Sequence, residues 1–371
     1  KRAAHGVQSC GITTTFNLEQ VFELGQLAIY ENVEGTPDIE VTMSKVLDGF
    51  IPLYCLATSD QTNGPQLAKR CDSNTKTVVQ LGIWDEAVES AGQDVGGTPA
   101  TAQAFVEMSG LYLSSVSYNF PVDDNFSEDI TLVGNTKIWG TGQSTSIINC
   151  TPSYFPTGQP GEFGSNNDAP QGTGGVNRRQ NMIFATGASD AWVSQLKTEA
   201  EDADKTVLPP DIPGISKSGT KDFAHIQSIT TSVDVAREEL FELGEKIAYA
   251  RPVTFPVEVT CDIEVTASSG DLVNAIDACT GNVCDEANNL TDRTIRIATC
   301  EGTRIYLGTK NKLSSVTYGG GDAGGGNATV SYSYSTFNDF TVIHKADMLS
   351  SGGSMSGEKW WQNRADYLET R

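Results

Sequence analysis

The sequence predicts a mainly β protein of the α+β class, made of two tandem β-sandwich or barrel domains, each flanked by one α-helix. Many segments of the 371-residue chain alternate polar and apolar residues and are rich in Thr, Val and Ile. Such alternation, bounded by Gly, Pro, Asn and Asp, is typical of half-buried strands. Related phrases also recur in the same order in the two halves of the chain. The predicted architecture is therefore two copies of one β domain.

The recurrence rests on more than one short match. Two pairs of phrases, VQS with IQS and VFELG with LFELG, are each separated by 219 residues. Three further pairs are separated by 224, 200 and 210 residues. The matched phrases are VQS 7–9 with IQS 226–228, VFELG 21–25 with LFELG 240–244, DIEVT 38–42 with DIEVT 262–266, LSSVSY 113–118 with LSSVTY 313–318, and EDITLVG 128–134 with NDFTVIH 338–344. Matches in one order, with insertions between them, predict duplication of a whole domain rather than a short solenoid repeat.

Each copy is expected to run through the same elements. A first strand (GVQSCGITTTFNL or HIQSITTSVDV) leads to a turn in which Gly25 and Gly244 allow positive φ. A second strand (DIEVTM or VEVTCDIEVTA) precedes a helix, predicted in SKVLDGFIPLYCLAT with Ser44 as its cap and in SSGDLVNAIDAC with Ser268, Ser269 or Asp271 as its cap. The closing strands are predicted in TKTVVQLGIW, QAFVEMSGLYLSSVSYNF and DITLVGNTKIW of the first copy, and in RTIRIATCEG, TRIYLGTKNKLSSVTYGG, NATVSYSYS and FTVIHK of the second.

Composition shifts divide the chain into four parts. The first β domain is assigned to residues 1–150 and the second to residues 216–345. Residues 151–215 between them are dense in Gly, Pro and Asn, and are expected to form an excursion, one short helix capped by Ser189, and a Pro-stiffened linker. Residues 346–371 are expected to form a C-terminal arm.

Charge is the most pronounced compositional feature. The chain carries 47 acidic and 25 basic residues, a net charge of −22. Electrostatic binding of nucleic acid needs clustered Lys and Arg, and no such cluster is present. The excess indicates either solubility through self-repulsion or an acidic surface that does not retain polyanions. No stretch approaches the roughly 20 apolar residues of a membrane-spanning helix, so no membrane partner is expected, and no signal peptide is recognisable.

Motifs for catalysis or metal binding were not found. The eight cysteines lack CxxC spacing, and Cys279 with Cys284 has no second ligand pair. The three histidines form no recognisable triad, and neither GxSxG nor HExxH occurs. The glycine run at 319–326 is interpreted as a hairpin tip, because no GK[ST] follows it. We therefore expect no enzyme activity, no catalytic residue, no cofactor and no metal site.

The order of elements, the acidic balance, the Gly-rich hairpin and the C-terminal arm resemble the tail tube proteins of long-tailed bacteriophages. The segments ELGQLAIYENVEGTPDIEVTMSKVLDGF and TDRTIRIATCEGTRIYLGTKNKLSSVTYGGGDAGGGNATVSYSYSTFNDFTV look like virion proteins of this kind. The resemblance implies β-sandwich domains whose strands join a continuous barrel around a lumen, in rings that stack into a tube. Most members carry one such domain, and some carry two and form three-subunit rings.

The resemblance also implies partners and a location. Self-association is expected as stacked rings, either trimers with pseudo-sixfold symmetry or hexamers. A tape-measure protein and phage DNA would occupy the lumen, and a tail sheath is a further possible partner. The protein would be assembled in the cytoplasm of the bacterial host and would reside in the virion tail.

Two sets of residues are candidates for these roles. Four acids chosen by strand position are expected to face the lumen and repel DNA, with a solvated outer face as the alternative reading of each. These are Glu107, Glu128, Asp129 and Asp339. Six apolar residues of the ELG phrases and the C-terminal arm are expected to make assembly contacts, with core packing as the alternative for the ELG pairs. These are Phe22, Leu24, Phe241, Leu243, Trp360 and Trp361.

Other functions remain open at this stage. A different virion structural protein, such as a baseplate hub, tail terminator or capsid decoration protein, shares β-sandwich chemistry and self-association. A two-domain carbohydrate-binding or adhesin module is supported by the aromatic residues Tyr332, Tyr334, Trp360 and Trp361. A hydrolase has the least support, because its carboxylate pair would have to be hidden among the solvated acids.

Overall fold

The structure is a computed structural model that describes the β-rich parts of both halves. The described residues are 4, 6–25, 29–58, 75–83, 88–90, 93–94, 104–141, 176–179, 182–186, 225–266, 292–293, 295–299, 303–319 and 327–344. Several predictions lie outside these ranges. They concern the helices expected near 189–205 and 268–279, most of the 151–215 excursion, nearly all of the glycine run, and the C-terminal arm.

The mainly β class is confirmed, and each predicted closing strand is matched by a strand of the structure. The first half contains β1 Val7–Thr15, β2 Leu18–Phe22, β3 Ile29–Glu34, β4 Asp38–Val46, α1 Leu53–Ala57, β5 Thr77–Ile83, β6 Val88–Ser90, β7 Gln93–Asp94, β8 Ala104–Pro121, β9 Ser127–Gly134 and β10 Thr136–Thr141. The second half contains β11 Met182–Thr186, β12 His225–Asp234, β13 Glu258–Thr266, β14 Ile295–Thr299, β15 Thr303–Tyr306, β16 Lys312–Gly319, β17 Thr329–Phe337 and β18 Thr341–His344.

Ten of these strands form one antiparallel sheet that runs through both halves. Its order is β1-β4-β9-β8-β12-β13-β17-β16, and β5 and β10 pair with the first part of the long strand β8. Strands β11, β14, β15 and β18 form a second sheet in the order β11-β14-β15-β18. Strands β2 and β3 form a separate hairpin, and so do β6 and β7.

The hydrophobic core lies on one face of the large sheet. Strict alternation places Glu128, Ile130 and Leu132 of β9 inside, while Asp129, between Glu128 and Ile130, is exposed on the other side. Helix α1 and the second sheet contribute to the same hydrophobic cluster. Phe340, before β18, lies 5.3 Å from Tyr54 of α1 and 6.4 Å from Tyr118 of β8, measured between ring centroids. The two halves of the chain thus share one core.

The first predicted helix differs from the expectation. Ser44 does not cap it, because Ser44 lies inside β4 and pairs with Ser9 and Asp129. The helix is confined to Leu53–Ala57, with Pro52 at its N-terminus. Proline suits this position because it has no N–H to satisfy. At the other end, the Thr58 hydroxyl donates to the carbonyl oxygen of Tyr54 at 2.8 Å. A β-strand therefore occupies the first part of the segment that we expected to be helical.

The strand order of the first half is repeated in the second. β1-β4-β9-β8 is followed directly by β12-β13-β17-β16, so that β12, β13, β17 and β16 take the places of β1, β4, β9 and β8. Register shifts also occur at corresponding points. β1 shifts between Val7 and Ser9 and β12 between Ile226 and Ser228, while β8 shifts at 113–115 and β16 at 313–315. The offsets of 219 and 200 seen in the sequence therefore coincide with structural correspondences.

Two of the matched phrases do not correspond in the sheet. Asp38 of the first phrase lies opposite Thr15 in β1. Asp262 of the second phrase lies opposite Thr230 in β12, and Thr230 corresponds at offset 219 to Gly11, not to Thr15. The two DIEVT phrases are thus four residues out of register. EDITLVG forms β9 in the large sheet, whereas NDFTVIH ends in β18 of the second sheet. The place of β9 is taken in the second half by β17. Short strand sequences repeat easily, because alternation alone dictates most of their residues.

Candidate self-assembly interface

The joint between the two halves is an antiparallel pairing of β8 with β12. It runs from Ser228 opposite Pro121 to Asp234 opposite Ser115. The inward-facing side chains are buried on both strands: Ile229, Thr231 and Val233 on β12, and Phe120, Tyr118 and Val116 on β8. Backbone bonds extend the ladder beyond both ends, from Val235 N to Ser114 O at 2.6 Å and from Val122 N to Gln227 O at 2.9 Å. In the order of the sheet, the last strand of the first half, β8, thus joins the first strand of the second half, β12.

Arg237 reinforces this joint. Its Nε donates to the carbonyl oxygen of Leu113 in β8, and its Nη1 donates to the carbonyl oxygen of Arg251 at 2.8 Å. The guanidinium lies 5.1 Å from the ring centroid of Tyr112, within the range of a cation–π contact. Burial lowers the pKa of Arg237 to about 10, so the side chain stays cationic near neutral pH. Arg237 therefore links the second half to β8 through both charge and hydrogen bonds.

The outer strands of the large sheet, β1 and β16, each have one edge that no described strand covers. Among the described residues, β1 pairs with β4 alone and β16 with β17 alone. In the repeated strand order, β1 corresponds to β12 and β16 corresponds to β8, the two strands that pair at the joint. Tyr318 of β16 is 51% exposed, whereas its counterpart Tyr118 is 0% exposed. Such unpaired edges are templates for pairing with another chain.

Two arms follow β1 and β12 along the chain. The first arm is the β2–β3 hairpin, and the second arm is residues 237–253, held by bridges between Arg237 and Val253 and between Leu240 and Ala250. Gly25 and Gly244 have φ of 88° and 97° at the two tips, which confirms the predicted turns. Large apolar side chains are exposed along both arms: Leu18, Val21, Phe22, Leu24, Ile29, Tyr30 and Val33 on the first, and Phe241, Leu243, Ile247 and Tyr249 on the second.

The arms lie side by side and are joined by polar contacts. The Thr36 hydroxyl donates to the carbonyl oxygen of Lys246 at 2.7 Å. The buried Arg251 Nη2 lies 3.1 Å from Asp38 and 2.5 Å from Glu239. These contacts fix the arms to each other while their apolar side chains remain in water. Exposed apolar surfaces of this kind are typical of interaction sites, so the two arms are candidate contact surfaces.

The face of the large sheet that points away from the hydrophobic core, called the outer face below, is hydroxyl-rich and acidic. Outward positions of its central strands carry mostly Ser and Thr, such as the row Ser44, Asp129, Ser117, Ser232 and Thr260 across five neighbouring strands. Apart from Asp38, which pairs with Arg251 of the second arm, the acids on this face are Glu40, Asp129, Asp234, Glu258, Asp262 and Glu264. Within the eight strands of the main order, Lys312 at the end of β16 is the one cation on this face. The face would repel a polyanion.

One of the four acids predicted to face a lumen lies on this face, namely Asp129. Glu128 does not, and that prediction is wrong because its side chain is fully buried. Glu107 lies on the first part of β8, half-buried, and accepts a hydrogen bond from Gln80 Nε2. Asp339 is half-buried in the loop before β18, packed against Gly308. Burial raises the pKa of the Asp339 carboxyl.

Glu128 instead anchors helix α1 inside the core. Its carboxylate accepts hydrogen bonds from Leu53 N at 2.6 Å, Tyr54 N at 2.9 Å and the Tyr118 hydroxyl at 2.7 Å. Lys45 lies opposite it on β4, is also fully buried, and contacts Asp48 at 2.9 Å. Burial raises the pKa of Glu128, and the three hydrogen bonds and Lys45 oppose that shift. The sequence contained a signal for the burial of Glu128, because Glu128 points to the same side of β9 as the apolar residues Ile130 and Leu132.

The apolar assembly candidates are exposed where the structure describes them. Phe22 is 60% and Phe241 is 52% exposed, and Leu24 and Leu243 at the arm tips are fully exposed. The alternative reading of core packing is therefore wrong for these four residues. Trp360 and Trp361 lie outside the described residues. Sequence reasoning missed Arg237, the open edges, and five of the six acids on the outer face.

No family model matches the chain, and no curated protein is significantly similar to it. The interface must therefore be interpreted from its own geometry. In the described part of the chain, no group of three potential metal ligands occurs, and Cys10, Cys55 and Cys261 form no disulfide bond there. None of the described helices has the length and hydropathy needed to cross a membrane.

Proposed function

We propose that this protein is the tail tube subunit of a long-tailed bacteriophage, built from two tandem copies of one β domain. Copies of the chain would join edge to edge into closed rings, and the rings would stack into the tube through which the genome leaves. The protein would act in the virion tail after assembly in the host cytoplasm. It would have no enzymatic role.

The observation that carries the proposal is the β8·β12 joint. It unites two β units of identical strand order, and the corresponding edges, β1 and β16, have no further strand among the described residues. A contact between two different edges is heterologous, so it continues from copy to copy until a ring closes or a filament forms. Closure removes every open edge and with it the hazard of uncontrolled aggregation.

The duplication gives such a ring a simple composition. Three chains of two units each would build a ring with pseudo-sixfold symmetry, in which every second joint is the intramolecular β8·β12 pairing. Tethering raises the effective concentration of one neighbour and so favours ring formation. Six chains in a ring of twelve units is the alternative that the same edges allow.

The acidic face of the sheet, which points away from the hydrophobic core, would suit the lining of the bore in such a ring. If this face lines the bore, Asp129, Asp234 and Asp262 point toward the passing DNA, and Lys312 at the end of β16 is the one cation that the eight strands of the main order place beside it. A tape-measure protein would occupy the bore before the DNA, and a sheath would surround the tube in a contractile tail. The exposed arms would then supply apolar contacts between neighbours or between stacked rings.

Electron microscopy of the purified full-length protein tests the proposal. We expect hollow tubes, or at raised concentration rings that stack into tubes, with a repeat of roughly 40 Å from compact-domain dimensions. Rings that never stack would favour a terminator or hub protein. A monomer that stays monomeric at all concentrations would exclude the tube role.

A further inference from the structure

We infer that β1 of one copy pairs antiparallel with β16 of a second copy in one defined register, with Thr13 opposite Thr317. This inference rests on the proposed head-to-tail assembly and specifies its intermolecular joint. In this register Thr15 lies opposite Ser315, and Gly11 opposite Gly319.

The register follows from the intramolecular joint. Thr13 corresponds to Ser232 at offset 219, and Thr317 corresponds to Ser117 at offset 200. Ser232 and Ser117 are directly opposite each other in the β8·β12 ladder. Both offsets are supported by the matching register shifts near Ser9 and Ser228 and near residues 115 and 315. Pairing of β1 with β16 in the same way therefore brings Thr13 to Thr317.

Residues of the β8·β12 joint are buried, whereas their counterparts on β1 and β16 are more exposed, as expected for strands that lack a neighbour on that edge. At the joint, Thr231 and Tyr118 face each other and both are 0% exposed. Their counterparts are Ile12, which is half-buried, and Tyr318, which is 51% exposed. The inferred pairing would place Ile12 beside Tyr318. An Ile and a Tyr across two strands are a favourable apolar pair, and burial would remove both from water.

Hydrogen bonding at the joint decides which pairs suit a cross-link. Val235 N donates to Ser114 O, and Val122 N donates to Gln227 O, so every second pair between these ends is a hydrogen-bonded pair. The pair Ser232 with Ser117 lies between two of them and is a non-hydrogen-bonded pair, in which side chains are closer. By correspondence, Thr13 with Thr317 has the same close geometry. Both residues are exposed in the single chain.

The occupant of each edge is a second copy of this chain because the chain already contains a pairing of this kind. β12 sits on β8, and β1 and β16 are the strands that correspond to those two in order, register shift and neighbouring sequence. The intermolecular joint is also chemically distinct. At the β8·β12 joint, Arg237 donates a hydrogen bond to the carbonyl oxygen of Leu113, a contact called the Arg237 clamp. At the intermolecular joint, Leu18 takes the place of Arg237 (offset 219) and Leu313 takes the place of Leu113 (offset 200). We infer that the intermolecular joint lacks this clamp and is the one that opens.

Disulfide trapping tests the register. Thr13→Cys and Thr317→Cys are made in separate full-length chains that carry Cys10→Val, then mixed at assembly concentration and oxidised mildly. We expect a cross-linked dimer from the mixture and none from either variant alone. The pair Thr15→Cys with Ser315→Cys should behave alike. Ser232→Cys with Ser117→Cys in one chain is the matched control, since it should close within the monomer.

The outcomes separate this inference from the proposed function. Tubes without cross-links at either pair would overturn the register while leaving the tube role intact. Cross-linked dimers that form no tubes would support the joint and remove the tube role. Dimers from Thr13→Cys alone would indicate a symmetric β1–β1 contact and overturn the inference. A cross-link from Thr13→Cys to Ser315→Cys in place of Thr317→Cys would overturn it as a two-residue slip.

Discussion

Lys45 on β4 and Glu128 on β9 lie directly opposite each other, and both side chains are fully buried in the core. At the corresponding place of the second half, Val265 on β13 lies opposite Val330 on β17, and both are buried. A charged pair in one half thus replaces an apolar pair in the other. The difference follows from helix α1, because the Glu128 carboxylate accepts the N–H groups of Leu53 and Tyr54.

A double-mutant cycle on this pair should show strong coupling. Glu128→Val removes one of the two carboxylates near Lys45, with Asp48 retained, and orphans the N–H groups of Leu53 and Tyr54, so we expect a loss of about 3–5 kcal/mol in the free energy of unfolding. Lys45→Val should cost less, and the double variant less than the sum, with a coupling of roughly 0.5–3 kcal/mol. Urea unfolding measures this. Asp129→Val on the exposed side of β9 is the control, and additive effects would contradict the prediction.

The stability of the protein should depend on the protonation of Glu128. Burial raises the pKa of this carboxyl above its ordinary value of 4.5, so the folded state binds a proton more tightly than the unfolded state does. Its contribution is fully present below that ordinary pKa and is lost as the pH rises through the folded-state pKa. In Glu128→Gln this contribution is absent.

We expect the unfolding free energy of the native protein to fall more steeply with pH than that of Glu128→Gln across this window. Chemical unfolding at a series of pH values, from about pH 4 to about pH 7, measures both slopes. Asp129→Asn is the matched control, because its carboxylate is exposed on the same strand and should not change the slope. Parallel curves for the native protein and Glu128→Gln would contradict the assignment.

Sequence patterns predicted the strands well because alternation is a local property. The first strands, the arm turns at Gly25 and Gly244, and the closing strands were all predicted correctly. The facing of Glu128 was predicted wrongly, because an acid in a strand suggests an outer position unless it is noticed that Glu128 points to the same side of β9 as Ile130 and Leu132. The β8·β12 joint depends on which edges meet, and non-local pairing leaves no local signal. Short repeats such as DIEVT were misleading for the same reason.

The arms should matter for assembly and not for folding. Phe22→Ser and Phe241→Ser remove exposed side chains, so each should change the free energy of unfolding by less than about 0.5 kcal/mol. Both should shift sedimentation from polymers toward the single chain, because the apolar contact surface is lost. Thr42→Ala, at an exposed position of the sheet away from the arms, is the control. Unchanged polymer formation would exclude the arms as contacts.

The outer face of the sheet should be shielded in the assembled tube. Asp262→Cys and Asp129→Cys, on this face, should react with a bulky maleimide polymer in the single chain and be protected in the tube. Labelling of assembled and dissociated protein, followed by gel shift, measures this protection. Ser117→Cys in the same row should follow them. Equal labelling in both states would place this face on the outside of the tube and leave the bore without its acidic lining.

The intermolecular joint should be strengthened by rebuilding the Arg237 clamp in it. Leu18→Arg together with Lys312→Tyr would place a guanidinium over a tyrosine ring and beside the carbonyl oxygen of Leu313, as Arg237 lies over Tyr112 and beside Leu113. Loss of the exposed Lys312–Asp292 pair should cost little. A charge-assisted hydrogen bond contributes about 1.5–3 kcal/mol, so the concentration needed for polymerisation should fall roughly tenfold or more. Light scattering against protein concentration measures this, with each single variant as a control. If the double variant assembles no better than Leu18→Arg alone, the correspondence between the two joints is wrong.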